Sequence, residues 1–376
     1  MRLSTRKIVR ACTTLSIGAT LLVMAPAVAL AAISHNGQEV SAGDSYTVNE
    51  LGTCQGHVFS GTSEDDWYNL AGGQHITVSG GTHTITLDGL TIDDPGAGSS
   101  AINIRDGANV TLVLKGENYL EASGNHPGIW VEEGSSLTIE GDGSLVVYAG
   151  NTTAGLGAAG IGGGYNESAF GNITINSGSV EAHGRAGGAG IGGGYKTGSG
   201  TQTGDVTITG GFVQAYGGSV IGSSGAGIGA GENADYDGTI TISGGVVRAM
   251  GGNENKSSIG GGGSLLGSTD NGTFTTGTNG NAVIAAPWGI GDTSDVANWD
   301  CILLEPTRES TSEIQFVNYD ATTNTITFEG GTPRVYGDVE ADYNITINSP
   351  ASLRVDTEID LDGDPSTPNN APPRSP

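Results

Sequence analysis

Eight side chains in this sequence stand out because their types suit recognition chemistry and their spacing repeats. Tyr148, His183 and Tyr216 follow one another at steps of 35 and 33 residues, and Met250 continues the row. Glu181, Gln214 and Arg248 each stand two residues before a member of that row, with Val146 in the equivalent place before Tyr148. Aromatic rings stack on the apolar faces of sugar rings, while carboxylate, amide and guanidinium groups take hydroxyls. A surface of this kind is expected to hold a polysaccharide or a host glycan. Tyr165, Tyr195 and Tyr236 fall in the loops after the third strand, where they could form an aromatic row along one edge or, equally, cover Gly-rich corners. The ordinary alternative is that stacked Thr and Tyr are common strand residues. A third cluster, Asp360, Asp362 and Asp364, lies in EIDLDGDPSTPN. Calcium is bound by oxygens, often from alternate acidic residues. The closing acidic ligand of such a loop is replaced here by Asn369, and a solvated acidic tail is the competing reading. No cofactor is required by these patterns, and Ca2+ is the one metal they suggest.

Such columns need regularly stacked elements to carry them. Four copies of one unit supply these. SLTIEGDGSLVVYAG, NITINSGSVEAHG, DVTITGGFVQAYG and TITISGGVVRAMG are each followed by AGIGGGY or a variant, at Ala159–Tyr165, Ala189–Tyr195, Ala226–Gly231 and Ser258–Gly263. The Ile at 139, 175, 208 and 242 recurs at steps of 36, 33 and 34 residues. Apolar and polar residues alternate within each copy, the period of a strand. Inward columns are expected at Leu137, Ile173, Val206 and Ile240, at Ile139, Ile175, Ile208 and Ile242, and at Leu145, Val180, Val213 and Val247. One Ile per copy, at 161, 191, 228 and 259, belongs to a third face. Three short strands and a variable loop make one coil of a parallel β-helix, whose coils bury each other's inward residues.

The 67 glycines among 376 residues fit tight corners and close backbone approach. They do not fit a phosphate loop, which needs a strand-to-helix context. Thr138, Thr174, Thr207 and Thr241 form an outward column that could order water or bind ice. Its neighbours Glu140, Asn176, Thr209 and Ser243 are too irregular to favour that.

Residues 1–31 read as a signal peptide, with Arg2, Arg6, Lys7 and Arg10 before an apolar stretch and Ala29-Leu30-Ala31 as the cleavage site. Residues 32–285 are expected to form the β-helix, 286–355 a C-terminal β segment or cap, and 356–376 a disordered tail, acidic and then Pro/Asn-rich. The formal charge is −26, and loss of the leader makes the remainder more acidic. Such a field repels nucleic acid and anionic lipid. The expectation is a secreted or cell-surface protein with no nucleic-acid partner and no membrane insertion after cleavage, its oligomeric state left open. Cys54 and Cys301 lie too many coils apart for a disulfide, at about 4.8 Å per coil against a limit of about 7 Å.

The run from AINIRDGANVTLVLKGENYL to SLTIEGDGSLVVYAG, followed by AGIGGGY copies, resembles bacterial cell-surface β-helix proteins of carbohydrate-binding or adhesin-like type. VYGDVEADYNITI resembles a segment that follows such repeats. The resemblance spans about Tyr46 to Val355. It implies an all-β, right-handed parallel β-helix, a single elongated domain with a C-terminal β extension, and sugar or surface binding, sometimes with calcium.

Polysaccharide lyases and hydrolases share this fold, so architecture does not decide catalysis. The copies preserve no acid at one position, and only Arg105-Asp106 sets a basic residue directly beside an acid. A periodic surface without a singular cluster favours binding. A β-helical polysaccharide-cleaving enzyme and a purely structural stalk remain the alternatives.

Overall fold

The computed structural model describes residues 75–286, apart from short gaps at 94, 96–97, 152–155, 221–222, 254–256, 263–271 and 277–281, and separate strands on either side between Ser34 and Asp360. The described residues contain no helix. Parallel strands stack coil on coil into a β-solenoid with three ladders. The expected signal peptide lies outside the described residues.

The first ladder follows the repeated TI motif. Its inward columns pair in the register that the periodicity predicts. Val110, Leu137, Ile173, Val206 and Ile240 lie on successive coils, and so do Ile85, Leu112, Ile139, Ile175, Ile208 and Ile242. None of these side chains is more than 2 % exposed. Burying each contributes about 1.5–3 kcal/mol. The outward threonines form a longer column than the four repeats suggest, from Thr84 and Thr111 through to Thr275.

The second ladder carries Leu145, Val180, Val213 and Val247 inward. Asn118 takes the place of an aliphatic residue one coil before Leu145. Its amide donates to Lys115 O and Ser144 O, and its oxygen accepts from Leu90 N. A buried polar side chain is tolerated there because its hydrogen bonds are made. The ladder extends through Ala282–Ala285 to Cys301–Leu304, where Cys301 is buried.

The third ladder has eight short strands. Ile129, Ile161, Ile191, Ile228 and Ile259 point inward in register. The next position outward is Trp130, then glycine on four coils, at 162, 192, 229 and 260. A Cβ on Gly192, whose φ is +136°, would stand 1.9 Å from Gly229 O. The bare backbone stripe lets the loops fold back over the sheet. Gln202 seals it, donating to Glu167 O and Gly194 O and accepting from Gly231 N.

Tyr236 does not join an aromatic edge with Tyr165 and Tyr195. It is fully buried, stacks near Phe170 with centroids 6.4 Å apart and donates to Gly204 O. It stands eight residues after Ile228, where Tyr165 and Tyr195 stand four after Ile161 and Ile191, and pairs in register with the buried Gln202, which takes the ring out of the row.

At the C-terminal end, Phe316–Asp320, Thr325–Glu329 and Asn344–Asn348 form a small sheet. Ile326 and Phe328 join a cluster with Val246, Val283 and Ile302, and Phe212 and Tyr319 pack against it. One outward column of the second ladder is thus covered in its last coils.

Candidate functional site

Outward residues of the second ladder come from strands Glu117–Ser123, Ser144–Asn151, Ser179–His183, Phe212–Tyr216 and Val246–Met250. Parallel pairing places Tyr148 beside His183, His183 beside Tyr216, and Tyr216 beside Met250. It also aligns Val146, Glu181, Gln214 and Arg248. Six of the eight predicted glycan-binding residues therefore share one face.

The rings of the first row stack on one another. Tyr148 and His183 have centroids 4.2 Å apart at 7°, and His183 and Tyr216 4.7 Å apart at 17°. Ring faces turned to each other cannot also lie flat on a sugar. The expectation of a stacking platform is therefore revised: this row presents ring edges and polar heads.

Those heads are held by a device repeated along the ladder. Neighbours two residues apart on one strand bond to each other. Tyr119 Oη donates to Glu121 Oε2 at 2.6 Å, His183 Nε2 meets Glu181 Oε1 at 2.7 Å, and Tyr216 Oη donates to Gln214 Oε1 at 3.0 Å. Arg248 Nη2 reaches Met250 Sδ at 3.5 Å. Tyr148 is the exception, because its partner position is the apolar Val146. Among the described residues its hydroxyl makes no hydrogen bond. The Arg185 guanidinium lies 5.2 Å from the centre of its ring and 3.6 Å from Glu121, and Arg248 lies 5.6 Å from the centre of the Tyr216 ring.

Burial lowers the His183 pKa, although the bond to Glu181 works in the opposite direction. His183 is then a neutral donor to Glu181 at neutral pH, not half of an ion pair. Burial likewise raises the Tyr119 phenol, helped by Glu121, and raises Tyr148 and Tyr216. All three phenols stay protonated and able to donate.

Tyr165 and Tyr195 stand apart from this face, in loops after the third ladder, with ring centroids 5.9 Å apart at 18°. Asp360 lies in a two-residue strand paired with Val339–Glu340, while Asp362 and Asp364 lie outside the described residues. Among the described residues no group of three or more His, Cys, Asp or Glu side chains is placed to hold a metal.

Sequence periodicity missed Tyr119, Glu121 and Arg185. The first two belong to a shorter coil that pairs in register with the repeats. Arg185 follows its strand at a corner, where no repeat pattern marks it.

Compared with protein-family models, curated proteins and solved structures, the chain matches none.

Proposed function

We propose that this chain is a non-catalytic glycan-binding β-solenoid, secreted or held at a cell surface in the manner of an adhesin. The observation that carries this reading is the Tyr148 hydroxyl. It lies in a row whose other polar heads are paired within their own strands, and it is flanked by Arg185 and Glu121 on neighbouring coils. The row as a whole offers phenol, imidazole, carboxylate, amide and guanidinium groups at one coil spacing, about 4.8 Å. A hydroxyl-rich polymer running along the solenoid meets a new set of donors and acceptors at each coil. Preformed hydrogen bonds hold these side chains in place, which lowers the ordering cost of binding.

A glycan array combined with a reducing-sugar assay tests this. Binding without product release is the expected result. Product release would replace this reading with a polysaccharide-cleaving enzyme, and silence in both assays would leave a structural spacer. Running the array with and without Ca2+ tests the acidic tail at the same time.

A further inference from the structure

Trp130 occupies a singular place in the third ladder. It pairs with Asn103 on one side and Gly162 on the other, so it is the last large outward side chain before the glycine stripe begins. Among the described residues its indole stacks on no other ring. This sets it apart from Tyr148, His183, Tyr216, Tyr165 and Tyr195, whose faces are turned to one another.

Beside it lies a cleft of about 180 Å3 lined by Asn125, His126, Pro127, Trp130, Tyr165 and Glu167, with Gly164 just before Tyr165. Trp130 Nε1 donates to Glu167 Oε2 at 3.2 Å, and Gly164 N donates to the same oxygen at 2.8 Å. Both bonds fall on Oε2, which leaves Oε1 as the acceptor that can face a ligand. The His126 ring makes no hydrogen bond among the described residues. His126 O accepts from Gly150 N at 2.9 Å, two residues beyond Tyr148, so the cleft lies around a corner of the solenoid from the aromatic row.

We propose that this cleft is a binding subsite for a single neutral pyranose, such as a glycan chain end. The unstacked Trp130 indole supplies an apolar wall for the C–H face of a sugar, and Tyr165, which stacks on Tyr195, borders the cleft. A fixed carboxylate, an imidazole and the Asn125 amide supply directional partners for its hydroxyls. This mixture of apolar wall and few polar groups is what small-ligand sites require. The cleft's small size suits a single ring.

The charge in the cleft selects further. Glu167 has its carboxyl pushed upward by burial, with Glu132 adding to that effect. Burial also lowers His126, so no cation stands there to balance an anionic ligand. A uronate would bring a second carboxylate against Glu167, and neutral sugars are favoured over it.

The inference deepens the glycan-binding reading and rests on it, but it is tested separately. The full chain is labelled with 15N, and the Trp130 indole signal is assigned by its loss in Trp130→Phe. Methyl glycosides of glucose, galactose, mannose and N-acetylglucosamine are titrated one at a time, with galacturonate as the anionic comparison. At least one neutral glycoside is expected to shift the Trp130 signal saturably. Glu167→Gln and Tyr165→Ala should each weaken that binding by about tenfold, while Tyr148→Phe leaves it unchanged. No shift with any of the four neutral glycosides overturns the subsite. A shift that survives both cleft variants at full affinity also overturns it, and galacturonate binding as tightly as the neutral sugars overturns the charge selection. If the Trp130 signal responds while Tyr148→Phe has no effect on polysaccharide binding, the cleft stands and the aromatic row fails.

Discussion

The imidazole of His183 lies 4.2 Å from the phenol ring of Tyr148 and only 7° from parallel with it. The two residues are 35 positions apart in sequence and are brought together solely by the register of parallel strands. Tyr216 closes on the other side of His183 at 4.7 Å, so one imidazole joins three coils. Each such ring pair contributes about 0.5–1.5 kcal/mol beyond simple burial.

Replacing His183 with Ala removes both ring contacts and the bond to Glu181. Stability is expected to fall by about 1–3 kcal/mol, read from urea unfolding. His183→Phe restores the stack without the Glu181 bond and should recover part of the loss. Equal destabilisation by the two variants would show that the stack contributes nothing.

Tyr148→Phe deletes one hydroxyl and keeps the ring. Its hydroxyl has no partner among the described residues, so thermal stability should be unchanged. Affinity for a glycan that binds the row should weaken by about threefold to tenfold, the worth of one hydrogen bond. Calorimetry on the ligand found by array screening measures it, and unaltered affinity would place recognition elsewhere.

Burial holds His183, His126 and His75 below the ordinary imidazole value of 6.5. In an NMR titration of the folded chain, all three should titrate below that value. The unfolded chain takes up these protons first. The stability tied to the neutral rings is therefore fully present above about pH 6.5 and is lost as pH falls from there through the folded values. Unfolding midpoints collected between pH 8 and pH 5 should decline on the acid side. A midpoint for His183 above 6.5 would instead make its contact with Glu181 an ion pair.

Gly192→Ala and Gly163→Ala separate two kinds of glycine in neighbouring copies of the AGIGGGY motif. A Cβ at Gly192 meets Gly229 O at 1.9 Å and is strained by a φ of +136°. A Cβ at Gly163 first meets Phe170 Cβ at 3.4 Å. The first substitution is expected to cost about 3 kcal/mol or more and the second well under about 1 kcal/mol, as measured by denaturant unfolding. Similar costs would mean that the third ladder can spread to admit side chains.

The inward columns and the two outward rows were legible in the sequence because strand alternation and a repeat of constant register define them together. Leu137 and Ile173, or Glu181 and Gln214, need only the spacing of copies to be set side by side. How the rings use their faces was not legible. Spacing places Tyr148, His183 and Tyr216 in a row but says nothing of whether they meet each other or a ligand. Tyr236 misled for a related reason. It stands eight residues after its third-ladder Ile228, where Tyr165 and Tyr195 stand four after theirs, and that position of the loop faces the core. Glu121 lies on a shorter coil outside the four copies, although it pairs in register with Tyr148. Arg185 and Glu167 carry no periodic mark, and each reaches its partner from a corner or a loop, where neighbouring coils differ.

The stacking of coils also dictates how the molecule answers to tension. Hydrogen bonds between coils run along the solenoid axis, so a pull along that axis loads them end-on and detaches coils singly instead of shearing all three ladders at once. Each detached coil of 33–36 residues would release a contour length of about 110–130 Å. A protein tethered at one end and gripping a ligand through its side would then lengthen in steps, dissipating force before its hold on the ligand is broken.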